Sequence, residues 1–119
     1  MNLIPYKLAE NFIKNKLIGI KNGSLKLTNY NGEEKIFGDS TAGNRADIKI
    51  NTHKFYFNIL KGGSSGLAES YVKDEFSTSN LTSLIELTAK NIELTHRFSG
   101  ILNNVFVKNI IKNIFYSNT

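Results

Sequence analysis

Ser24-Leu25-Lys26-Leu27-Thr28-Asn29-Tyr30-Asn31-Gly32-Glu33-Glu34-Lys35-Ile36-Phe37 is the stretch on which the fold turns. From Ser24 to Tyr30 apolar and polar residues alternate. Leu25 and Leu27 fall on one face and Lys26 and Thr28 on the other, the two-residue period of a strand. Asn31-Gly32 follows, a pair that accepts positive φ at both central positions of a type I′ turn, and Glu33 to Phe37 resumes the extended pattern. The spacing predicts a β-hairpin.

On the N-terminal side, Leu8, Phe12, Ile13 and Leu17 recur at near-helical spacing, so Tyr6 to Lys16 reads as an amphipathic helix behind Pro5, and Asn22-Gly23 ends it. On the C-terminal side, small and polar residues from Gly38 to Asn44 read as a loop. Ala46, Ile48 and Ile50 then alternate with Asp47, Lys49 and Asn51 as a third strand. Thr52 can cap a helix from His53 to Leu60 with Phe55, Ile59 and Leu60 on one face, which Gly62-Gly63 terminates. A second short helix starts near Ser65, with Leu67, Ala68 and Tyr71 inward and Glu69 one turn from Lys73. Ser77 to Asn80 is a cluster of capping residues, and Ser83 with Glu86 fits a capping box. In the next helix Leu81, Leu84, Ile85, Thr88 and Ile92 share a face. A last helix from Ser99 sets Leu102, Val105, Phe106, Ile110 and Ile114 opposite Asn104, Lys108, Asn109 and Lys112. The expected class is α+β: a small antiparallel sheet, the hairpin plus at least one further strand, packed by four to five helices.

The chain has 119 residues, 40% hydrophobic and 21% charged, which fits one globular domain and leaves no room for a second. No stretch approaches the roughly 20 apolar residues of a transmembrane helix, and Met1 to Glu10 lacks the regions of a signal peptide; a cytoplasmic address is expected. The absence of cysteine removes disulfides, thiol nucleophiles and cysteine-ligated zinc together. A net charge of +5 suits anionic partners, but the lysines are scattered from Lys7 to Lys112, so composition alone explains it better than a specific anionic surface does.

No complete active site is expected. Gly62-Gly63-Ser64-Ser65-Gly66 has the composition of a phosphate-cradling loop, yet it follows a helical pattern and lacks the Gly-Lys-Ser/Thr ending of a P-loop; a helix stop and restart is the expected reading. His53 and His96, the only histidines, have no metal-ligand spacing, and no G-x-S-x-G nucleophile elbow occurs. Asp74-Glu75 and Glu33-Glu34 read as solvated charge, and Phe55-Tyr56-Phe57 and Tyr6 as core packing. No nucleic-acid partner is expected. The terminal helix has three open uses: lying on an anionic membrane, docking on another domain, or closing the core.

Gly66-Leu67-Ala68-Glu69-Ser70-Tyr71, followed by Phe76 and Asn80-Leu81, resembles the N-terminal domain of cyclopropane-fatty-acyl-phospholipid synthases. Gly23-Ser24-Leu25 before the hairpin, Phe37-Gly38 after it, the strand near Ile48 and the segment from Thr82 to Asn91 occur in the same order as in that family. The resemblance spans Gly23 to Asn91. It departs where the family has an acidic and glycine turn, a tryptophan and an aspartate; Lys73, Asp74, Phe76 and Asn80 stand there instead.

The resemblance implies a single N-terminal accessory domain over residues 1–119, with a sterol-carrier-like fold and a role in phospholipid handling or assembly. Its partners would be a C-terminal methyltransferase domain and a phospholipid or anionic membrane surface, at the inner face of the membrane, and homodimerisation stays open. The family's catalytic domain binds S-adenosylmethionine and bicarbonate, and no residue of that site has a counterpart in this chain. Gly66, Glu69, Tyr71 and Phe76 become the structural or partner-contact candidates, Glu69 and Tyr71 as a buried carboxylate paired within one helical turn. The rival expectation is a free-standing lipid-binding or membrane-surface module with a cavity between sheet and helices.

Overall fold

The alternation around Ser24 to Phe37 forms strands where it predicts them. The computed structural model describes residues 4–39, 41 and 43–94. Among these the order is α1 (Ile4–Leu17), β1 (Gly23–Thr28), β2 (Glu34–Gly38), β3 (Asn44–Ile50), α2 (Lys54–Gly62), α3 (Ser64–Val72), β4 (Phe76–Ser77) and α4 (Leu81–Lys90). The helix expected from Ser99, and His96, lie outside the described residues.

In the hairpin, Leu25 stands opposite Phe37 and Lys26 opposite Ile36. The turn is not type I′. The Asn29 N–H donates to Glu33 O at 2.8 Å and the Gly32 N–H to Asn29 O at 2.9 Å, while Gly32 alone of the Asn-Gly pair has positive φ, 89°. This is a three-residue loop, Tyr30-Asn31-Gly32, closed by a glycine in the left-handed region. The extra residue frees Asn31 Oδ1 to accept from the Glu33 N–H and lets Tyr30 reach back to α1.

The sheet order is β2-β1-β3-β4, and β1 runs parallel to β3, so the sheet is mixed and not wholly antiparallel. After β2 the chain crosses the start of β1 to reach its far side. Glycine makes that crossing possible: a Cβ at Gly38 (φ 85°) would lie 2.3 Å from Gly23 O, and one at Gly43 (φ 69°) 2.4 Å from Asn22 O. The fourth strand, unforeseen in the sequence, pairs with β3 through Lys49 opposite Ser77 and Ile50 opposite Phe76. Past it, the Thr78 hydroxyl donates to Asp47 O, the Ser79 hydroxyl to the Asp47 carboxylate, and Asn44 Nδ2 to Ser83 O.

One sheet face carries Leu25, Leu27, Phe37, Ala46, Ile48 and Ile50, all buried, and Lys26, Arg45 and Lys49 are exposed on the other. The helices meet the buried face with residues partly different from those expected. α1 turns Ala9, Glu10 and Ile13 inward and leaves Leu8 exposed; α4 buries Leu84 and Leu87 and leaves Leu81 and Ile85 exposed, as is Ile92 just beyond it. Asn80, not Ser83, is the cap of α4: its side chain accepts from the Ser83 N–H at 3.1 Å, and Glu86 is drawn to Asn44 instead. Phe55 to Leu60 of α2 are all buried, which places Phe55-Tyr56-Phe57 in the core as expected.

Candidate functional site

The Gly66 to Tyr71 motif occupies α3, and its geometry begins at Gly63. There φ is 56°, which stops α2 and restarts the chain as α3, the helix stop and restart expected of the glycine-serine loop. The two helices then fold back on each other so closely that a Cβ at Gly66 would lie 1.8 Å from Asn58 O. Gly66 is therefore the contact point between two backbones. One turn on, Ser70 is fully buried, and its Oγ donates to Glu75 Oε1 at 2.8 Å; Asn58 Nδ2 donates to the same oxygen at 2.5 Å. The Glu75 N–H donates to Ser70 O, and the Asn51 N–H to Glu75 O, each at 2.9 Å. Buried Glu75 thus ties α2 to α3 through its carboxylate and holds the end of β3 through its backbone carbonyl.

This corrects two expectations. Glu75 is buried, not solvated, because Asp74 takes a positive φ of 56° and turns the chain inward after α3. Glu69 is not the buried carboxylate of the motif. It is exposed and pairs with Lys73 at 2.7 Å; the lysine's hydrogen bond holds its carboxyl below the usual range. Gly66, Leu67 and Ser70 face inward, where Leu67, Ala68 and Tyr71 were expected. Tyr71 is half-exposed with its ring tilted on Phe76 at 5.7 Å, Val72 is 80% exposed, and buried Phe76 meets Phe55 edge-to-face at 5.4 Å.

A second polar cluster, invisible to the motif search, joins α1, the hairpin turn and α2. Glu10 has a side chain only 1% exposed. Its Oε2 accepts from Lys14 Nζ at 2.8 Å, Asn29 Nδ2 at 3.0 Å and Lys7 Nζ at 3.2 Å, and its Oε1 from the Tyr30 hydroxyl at 3.0 Å. Asn29 is buried too, and its Oδ1 accepts from the Tyr56 hydroxyl at 2.7 Å. Burial alone would raise the Glu10 carboxyl, but the bonds from Lys14, Lys7 and Tyr30 outweigh it and hold it below its ordinary value. Burial, then Glu10 beside it, push the Tyr30 phenol up. His53 closes the rim, its ring 4.1 Å from Tyr6, and burial with Lys54 alongside holds its imidazole below the ordinary value. A carboxylate so fully engaged is a poor proton acceptor; the cluster is a pin between elements. The one signal in the sequence was an acid at helical spacing from two lysines, Lys7 and Lys14.

Between the sheet and helices α1, α2, α3 and α4 lies an apolar cleft of about 90 Å³. Leu25, Leu27 and Ile48 form part of its lining, with Leu17 from α1, Leu84 and Leu87 from α4, and Leu94 beyond it. Its two polar lining residues are engaged: the Thr88 hydroxyl donates to Leu84 O, and Asn91 Nδ2 donates to Lys21 O and Leu87 O. Among the described residues no group of three or more histidine, aspartate or glutamate side chains could hold a metal ion, and no helix is long and apolar enough to cross a membrane. No family model, curated protein or solved structure matches the chain.

Proposed function

We propose that the chain is a non-catalytic N-terminal domain of a lipid methyltransferase like the cyclopropane-fatty-acyl-phospholipid synthases, supporting phospholipid handling by holding a catalytic domain in place. The observation that carries this reading is the division of labour within Gly66 to Val72. Gly66, Leu67 and Ser70 fasten α3 to the core, and the same turn holds Glu69, Tyr71 and Val72 outward on a rigid corner. Exposed valine and tyrosine on a fixed scaffold are the composition of a docking patch. Asp74, with its positive φ, makes the tight turn where the resembled family uses glycine. In this reading S-adenosylmethionine and bicarbonate belong to the partner domain.

Titration calorimetry of the chain with a methyltransferase domain of that family tests the proposal. Saturable association is expected, weakened at least about tenfold by Val72→Asp with Tyr71→Ala while the thermal midpoint holds. No association, or association indifferent to those changes, overturns it. The rival reading, a free-standing lipid-binding module, is favoured by the apolar cleft. Salt-sensitive sedimentation of the isolated chain with anionic liposomes would support it instead.

A further inference from the structure

An asparagine followed by glycine can be attacked by its own chain: the next backbone nitrogen adds to the side-chain carbonyl, and glycine puts no side chain in the way. The sequence has two such pairs, Asn22-Gly23 and Asn31-Gly32. The fold treats them oppositely. Gly23 is buried, and a Cβ there would lie 2.3 Å from Asn44 O. Gly43 crosses so near that its own Cβ would lie 2.4 Å from Asn22 O, which leaves no room for a ring to close between Asn22 and Gly23.

Asn31 and Gly32 stand exposed at the tip of the hairpin, and nothing lies within 4 Å of where a Gly32 Cβ would be. The Asn31 side chain is also folded forward. Its Oδ1 accepts from the Glu33 N–H at 3.1 Å, which brings Cγ toward the intervening Gly32 peptide and polarises the carbonyl. The same N–H faces the oxyanion that forms once a nitrogen adds to Cγ. Against this, the Gly32 N–H gives up one bond, to Asn29 O at 2.9 Å in the same exposed loop.

We propose that Asn31 is a self-modification site whose isoaspartyl product unfastens the hairpin tip from α1. The Gly32 nitrogen loses its proton to water and bonds to Asn31 Cγ, and the side-chain nitrogen leaves as ammonia. Water then opens the cyclic imide at either carbonyl. Opening at one returns an ordinary main chain with aspartate at position 31; opening at the other routes the main chain through the side chain and lengthens it by one carbon. The tip has little slack for that carbon. The Asn29 N–H donates to Glu33 O at 2.8 Å across the loop, while the Tyr30 hydroxyl holds Glu10 Oε1 at 3.0 Å. Lengthening the loop between these fixed points swings Tyr30 off Glu10, and the pin between α1 and the hairpin loses a donor.

Trypsin puts the two pairs on separate peptides, Asn22 to Lys26 and Leu27 to Lys35, so mass spectrometry of the full chain after incubation at mildly alkaline pH reads both. In the folded chain, aspartyl and isoaspartyl forms are expected at position 31 while Asn22 lags at least about tenfold, and in urea the two convert at similar rates. Glu33→Pro removes the N–H that faces Oδ1 and should slow position 31 about tenfold or more in the folded chain but not in urea. In the separated isoaspartyl form, the Tyr30 phenol, which burial and then Glu10 hold above 10.0, should titrate nearer that value. Its folded-to-unfolded ratio should fall about fivefold, a loss that Tyr30→Phe reproduces without incubation. Equal conversion of both asparagines in the folded chain overturns the site, as does an intact Asn31 once Asn22 has converted. An isoaspartyl chain that keeps the raised Tyr30 phenol overturns the release.

Discussion

Gly66 reverses an ordinary rule. Within a helix, replacing glycine by alanine usually adds up to about 1 kcal/mol of stability. Here the new methyl would meet Asn58 O at 1.8 Å, a backbone atom that cannot swing aside, so α2 and α3 would have to separate. Gly66→Ala is expected to cost about 3 kcal/mol or more in a urea titration. Ser70→Ala, which strips one donor from buried Glu75, should cost about 1 to 3 kcal/mol. Glu69→Ala, removing an ion pair exposed on both sides, should leave the midpoint in place. The sequence marked this hexapeptide as special and misjudged why. Its inward face is set by how close α2 lies, and no helical period within α3 carries that distance.

Elements were legible in proportion to how much of their stability is local. The hairpin was readable because alternation and a glycine turn act within a dozen residues; its turn type was not, because Tyr30 answers to Glu10, twenty residues away. β4 was hidden for a similar reason: two residues have no period, and they are extended because Ile50 and Lys49 pair with them. α4 shows phase set from outside. Its sequence offers Leu81, Leu84, Ile85 and Ile92 as one face, yet packing against β3 selects Leu84 and Leu87. Its start is local once more, since Asn80 satisfies the Ser83 N–H. Asn80→Ala should cost about 1 kcal/mol and lower the thermal midpoint by several degrees, whereas Ser83→Ala should move it far less.

Across the whole molecule, α1, the hairpin and α2 meet at Glu10 and His53, and both make stability depend on pH with the same sign. Each sits below its ordinary value, 4.5 for the glutamate and 6.5 for the histidine, so on acidification the unfolded chain takes up the proton first and unfolding is favoured. Chemical denaturation across pH should show stability intact above about pH 6.5, declining below it as His53 is driven to charge, and declining again below about pH 4.5 as Glu10 loses its charge. His53→Gln should flatten the first step alone and Glu10→Gln the second, the latter with a loss at neutral pH as well. The way β3 is finished bears on a different hazard. An open strand edge is a template for other chains, and only Lys49 and Ile50 of β3 are covered by β4. The Thr78 hydroxyl occupies a further acceptor of that edge, Asp47 O, with a side chain that cannot propagate a ladder. On the opposite side of the sheet, β2 is a five-residue edge that presents Glu34 and Lys35 to any incoming strand, and a fibril seeded there would have to begin against charge.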